Sequence, residues 1–139
     1  MYVCSGGIFG MGEDWGHRVE LATDLRELDV DSVPINFLNP RPGTPMAGLD
    51  ELTPEACLKI IALYRLMLPT KDLIVCGGRE MNLQGRQYEL FRAGANGIML
   101  GNYLTTPGGQ PDGDLAALEQ MGLQIRPPPH TPNPRVREA

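Results

Sequence analysis

Four short apolar runs recur along this chain, at residues 2–8, 32–38, 72–76 and 97–101. Each is followed by a stretch with helical spacing. No other feature constrains the fold as strongly. Brief strands alternating with helices build a parallel sheet covered by the helices that connect its strands. Runs that are continuously apolar, not alternating, are what strands buried on both faces show.

The helical stretches carry their own signals. From Glu13 to about Leu28, the apolar residues Val19, Ala22, Leu25 and Leu28 recur every three positions, which predicts an amphipathic helix with acidic residues at its start. Thr53-Pro54-Glu55 reads as a cap with proline at the first helical position. Ala56, Ile60, Leu63, Tyr64 and Met67 mark the buried stripe that follows, and Pro69 stops it. Residues 82–93 predict a third helix ended by Gly94, and Asp112 to Met121 a last one stopped by Gly122. Pro34 removes a ladder hydrogen bond, so it belongs near the start of its strand.

The order is strand–helix, four times. A doubly wound open sheet and part of a barrel both fit that order. Four units in about 122 residues give about 30 residues per unit, which is the spacing of a (βα)8 barrel. The expected class is therefore α/β: four βα units, the C-terminal half of a (βα)8 TIM-type barrel. The barrel half is assigned to residues 1–122, and residues 123–139 to a proline-rich, extended tail. The first apolar run belongs in the middle of a parallel sheet, yet almost nothing precedes it. The expectation is a chain that opens partway through the fold.

Composition excludes several classes. A net charge of −5 and scattered basic residues argue against a nucleic-acid partner. No apolar run approaches the roughly 20 residues needed to cross a bilayer, so no membrane partner is expected. No signal peptide is visible, and three cysteines fit a reducing compartment, so a cytoplasmic location is expected. None of the cysteines forms a CxxC pair, which argues against a self-contained zinc site.

In a barrel, function sits at the C-terminal ends of the strands. Those ends offer Cys4 with the loop Ser5 to Glu13, then Asn36, then Cys76 with Arg79-Glu80, then Asn102, Thr105 and Thr106. Polar groups on otherwise apolar strands are costly unless they meet a partner. Each position also has an ordinary explanation: Cys4 as a small buried hydrophobe, Arg79 as an ion-pair partner, Asn36 as a loop cap. Cys57 reads as core packing and His17 as a surface side chain.

Read jointly, five segments resemble the biotin synthase family, in that family's order. They are Val3 to Glu13, Val33 to Leu38, Pro42-Gly43-Thr44-Pro45, Gly77-Gly78-Arg79-Glu80, and Ala93 to Thr106. The resemblance covers about residues 2–122. It implies a radical S-adenosylmethionine enzyme on a (βα)8 barrel that inserts sulfur into dethiobiotin. A [4Fe-4S] cluster cleaves S-adenosylmethionine, and a [2Fe-2S] cluster supplies the sulfur. By the same resemblance, Cys4 and Arg79 match ligands of the [2Fe-2S] cluster and carry the catalytic and metal roles. Gly6, Gly7, Ile8, Gly10 and Glu13 match the loop beside S-adenosylmethionine, with Ile8 against the adenine. Asn36 matches a residue between dethiobiotin and S-adenosylmethionine, and Thr105 and Thr106 a pair near the substrate's carboxylate tail.

The family's CxxxCxxC segment has no counterpart in these residues, and neither do two of its three [2Fe-2S] cysteines. Cys76 falls where a small residue is expected. The chain alone is therefore expected to be inactive. It is expected to pair with a separate N-terminal half or to form a homo-oligomer. The competing expectations are a non-catalytic half-barrel that binds ligand, and the remnant of a disrupted gene.

Overall fold

A computed structural model of the chain describes residues 1–102 and 108–126. The threonine pair Thr105 and Thr106, and most of the proline-rich tail, lie outside the described residues. The elements are β1 (Gly7–Phe9), α1 (Trp15–Glu27), β2 (Ser32–Phe37), α2 (Pro54–Met67), β3 (Asp72–Val75), α3 (Arg79–Leu83), α4 (Glu89–Ala93), β4 (Gly97–Ile98) and α5 (Pro111–Gln120). The class is α/β, with a four-stranded parallel sheet.

The strands lie in chain order, β1-β2-β3-β4, without the reversal that marks a doubly wound sheet. One row of the register runs Gly7–Ile35–Val75–Ile98 across all four. Side chains alternate between faces along each strand. One set, Phe9, Val33, Ile35, Phe37, Leu73 and Val75, is buried in a single core with Ala22 and Leu25 of α1 and Cys57, Ile60, Ile61 and Tyr64 of α2. Phe9 and Tyr64 meet edge to face, with ring centroids 5.3 Å apart. The other face is open: Ile8 is 54% exposed and Met99 45%.

Local signals explain the helix starts. Asp14 caps α1 by accepting from the His17 N–H at 2.9 Å, and the His17 ring returns the bond to the Asp14 amide. Thr53 caps α2 by accepting from Ala56 N–H, with Pro54 in the first turn.

Several sequence expectations are corrected. The first strand is shorter than residues 2–8: Cys4 pairs with Ser32 as an isolated bridge, and β1 resumes only at Gly7. Pro34 is not near the strand's start but in the interior of β2. By register it faces Gly6, so the missing N–H and the break in β1 coincide. The helix over 82–93 is two short helices, broken where Gln84 and Gly85 take positive φ (+47° and +87°). In α1, Ala22 and Leu25 are buried as expected, but Leu28 is 71% exposed and Val19 40%. Arg18 takes a buried place instead. The acidic residues precede the helix and are absent from its first turn.

Gly78 joins β3 to α3 with φ +79°, and a Cβ there would lie 2.0 Å from the Phe37 carbonyl oxygen. Gly78→Ala is expected to destabilise the fold by about 1–3 kcal/mol or more. Gly48→Ala, at an open position, should change stability by less than about 0.5 kcal/mol. Urea unfolding of the two variants checks this, and equal midpoints would contradict the backbone constraint.

Candidate ligand site

The C-terminal ends of the strands gather the loop after β1, Asn36 of β2, the Gly77-Gly78 turn after β3 and the start of α3. Ile8 and Asn36 are register partners, on the open face. Asn36 straps three strands together. Its Nδ2 donates to the Gly7 carbonyl at 3.4 Å, and its Oδ1 accepts from the Gly77 amide at 3.0 Å. One N–H of the amide is therefore left for a third partner. Asn82 of α3, which the sequence did not single out, donates to the Leu38 and Gly78 carbonyls at 2.9 Å each. It closes the β2 and β3 ends over one another.

The loop after β1 is held by a carboxylate. Glu13 accepts from the Gly10 amide at 2.9 and 3.0 Å and from the Met11 amide at 2.8 Å. The Arg18 guanidinium pairs with the same group at 2.8 Å and lies over the Trp15 ring, 4.6 Å from its centroid. Burial alone would raise the Glu13 pKa. The Gly10 amide, then the Arg18 bond, outweigh it and hold the carboxyl below its ordinary value of 4.5. Tyr64 fixes the helix behind, its hydroxyl donating to the Arg18 carbonyl at 3.1 Å.

Arg79 is fully buried at the start of α3. Its Nη2 meets Asp114 of α5 at 2.5 Å and its Nε meets Glu80 at 3.1 Å. Asp114, also buried, accepts from the Tyr88 hydroxyl at 2.9 Å, and Glu80 accepts from the Gly109 amide at 3.0 Å. Burial, then the bond to Asp114, pushes the Tyr88 pKa up. The sequence had singled out Arg79 and Glu80. It held no sign of Asp114 or Tyr88, because the Arg79–Asp114 pair spans 35 positions, from α3 to α5, and Tyr88 joins it from the turn before α4.

The two expected cluster ligands differ in their place along the strands. Cys4 lies at the start of the first strand, not at its C-terminal end, on the row of Ser32 and Asp72. Its thiol is exposed and reaches the Ser32 hydroxyl at 3.8 Å. Arg79 follows the opposite end of β3. Cys76 is buried, and burial, then the nearby Cys4 thiol, raises its pKa. Cys57 is core packing as expected, its pKa pushed up to about 12 by burial.

Iron–sulfur clusters take four protein ligands, ordinarily thiolates. The described residues supply one exposed thiol and one buried guanidinium toward such a set, which does not complete it. Among the described residues no group of three or more His, Cys, Asp or Glu is gathered to hold a metal ion. No described helix is long and apolar enough to cross a membrane.

The parallel sheet, with a carboxylate-held glycine loop and a polar row at its C-terminal edge, defines an α/β protein. The profile of the Biotin and Thiamin Synthesis associated domain matches residues 34–124, and the chain belongs to that family. It is 59% identical over 124 residues to a protein named biotin synthase from Geobacter sulfurreducens, covering 89% of this chain and 38% of that protein. It is 56% identical over 126 residues to one from Anaeromyxobacter dehalogenans, covering 91% and 35%. A third, from Pelobacter propionicus, is 58% identical over 123 residues, covering 88% and 38%. The chain spans little more than a third of the length of the curated relatives it matches.

Two tests follow from this geometry. Removing one partner of a buried ion pair strands the other's charge, so Asp114→Ala is expected to cost about 3–5 kcal/mol. The double change Arg79→Met with Asp114→Leu should cost clearly less. Urea unfolding of single and double variants decides it, and equal losses would contradict the buried pair. For Glu13 the folded pKa lies below 4.5. Its contribution is therefore complete above the unfolded value and is lost as pH falls through the lower folded value. Stability measured between pH 7 and 3 should fall more steeply for the native chain than for Glu13→Gln, with the gap narrowing at the acid end.

Proposed function

We propose that this chain is the substrate-side portion of a biotin synthase, four βα units that form the C-terminal half of a (βα)8 barrel. Identity of 56–59% to proteins of that name, over nearly the whole chain, carries this reading. The sequential, all-parallel strand order supports the barrel half. The exposed face with Ile8 and Met99 supports a missing opposite wall. Residues 1–122 make up the barrel half, and residues 123–139 its tail.

The reaction is sulfur insertion into dethiobiotin by radical chemistry from S-adenosylmethionine, in the cytoplasm. When bound, the [4Fe-4S] cluster supplies the electron for that chemistry and the [2Fe-2S] cluster the sulfur. Cys4 and Arg79 contribute to the second cluster's ligand set, and the remaining ligands come from protein outside this chain. Gly6, Gly7, Ile8, Gly10 and Glu13 form the wall beside S-adenosylmethionine. Ile8 presents apolar surface to the adenine, and the backbone of the glycines brings the loop close. The free N–H of Asn36 is a donor for the ureido carbonyl of dethiobiotin. Thr105 and Thr106 meet its carboxylate tail. The chain by itself generates no radical.

Anaerobic reconstitution with iron and sulfide tests this. The purified chain alone should show no stoichiometric visible iron–sulfur absorption and no conversion of dethiobiotin. Mixed with the complementary N-terminal portion of a relative, it should gain both, and Cys4→Ala should remove the [2Fe-2S] bands. Failure of the mixed sample to gain either would sink the proposal.

A further inference from the structure

The loop after β1 has the make-up of an anion-binding turn. Gly10 and Gly12 take positive φ (+93° and +97°), and the Gly10 and Met11 amides converge on one spot. In phosphate-binding loops such converging N–H groups meet an oxygen of the ligand. Here they meet Glu13 of the chain itself. Its two carboxylate oxygens take both amides at 2.8 to 3.0 Å. The adjoining cation is engaged as well: Arg18 Nε donates to Glu13 Oε1 at 2.9 Å, and the Arg18 side chain is only 8% exposed.

We propose that Glu13 is a built-in anion filling this amide nest, so that the loop accepts an uncharged or cationic nucleoside and rejects a phosphorylated one. This rests on the proposal above that a nucleoside lies against Ile8. The physical reason is competition. A phosphate arriving at the loop must displace a carboxylate already held by two amides and a guanidinium, or stand beside its charge. Either course is a penalty built against the wrong ligand. A neutral sugar and base, or a sulfonium, meets no such penalty. Ile8 at 54% exposure and Met11 at 45% leave apolar surface for the base.

The probe is inorganic phosphate, titrated into the ¹⁵N-labelled full chain while the Gly10 and Met11 amide signals and the thermal midpoint are followed. The native chain should respond weakly. Glu13→Ala opens the nest and leaves Arg18 without its carboxylate. Phosphate should then shift both signals, raise the variant's midpoint and bind roughly tenfold tighter or better, the size of one charged hydrogen bond. Glu13→Gln keeps an acceptor without the charge and tests the same gain in a milder variant. An equal response in the native chain, or none in either variant, overturns the proposal.

Adenosine and adenosine monophosphate are then compared on the native chain. Preference for adenosine supports the proposal, and equal or tighter binding of the monophosphate overturns it. Phosphate gain in the variants with neither nucleoside binding the native chain supports the built-in anion and defeats the nucleoside reading of the site.

Discussion

The arrangement depends on one constraint: four parallel strands in chain order, with helices covering a single face. Parallel pairing aligns all four C-terminal ends, so the loop after β1, Asn36, Gly77 and α3 come together without any long excursion of the chain. One-sided cover decides which side chains are held and which are offered. The Phe9–Ile35–Val75 side locks into α1 and α2. The Ile8–Asn36 side is left uncovered by α1 and α2. A shift of register by one residue would exchange these sets, so burial of the helix face also fixes what the open face presents.

The polar groups at the strand ends divide into those that hold backbone and those that hold charge. Asn36 and Asn82 hold backbone, each bridging two segments that otherwise meet only through the sheet. Glu13 and Asp114 hold charge, each against a buried arginine. In both ion pairs the acid comes from a different segment than its arginine's helix: Glu13 precedes the helix that carries Arg18, and Asp114 lies on α5 against Arg79 on α3. The arginines thereby pin loop geometry to the helical layer. The strand-end amides are held by these bonds while Ile8 beside them stays exposed.

Much of this was legible in the sequence where one interaction dominates over a short span. Apolar runs located the four strands if not their bounds, Thr53-Pro54 marked the start of α2, and its buried stripe through Ile60 and Tyr64 followed from spacing. Spacing failed where a long-range partner changed the balance. Arg18 is buried because Glu13 and Trp15 receive its guanidinium, so its helix buries a charge where apolar periodicity points to Val19 and Leu28. Pro34 sits inside a strand because its neighbour is broken at Gly6. The 82–93 helix splits because Gln84 and Gly85 turn left-handed, a backbone choice with no apolar signature. The five-part resemblance singled out Cys4, Asn36 and Arg79. It could not show that Cys4 belongs to the start of its strand, since that follows from pairing with Ser32.

Arg79 shows most clearly how one buried side chain fixes the place of several segments. A guanidinium at this depth is too costly to leave uncompensated, and Asp114 and Glu80 compensate it. Such a pair contributes little net stability, because desolvation of both ions offsets their attraction. What it contributes is position. Asp114 also takes the Tyr88 hydroxyl, and Glu80 also takes the Gly109 amide. The guanidinium is therefore fixed from two directions by groups that are themselves fixed. A planar fork held this way keeps its orientation at little further entropic cost.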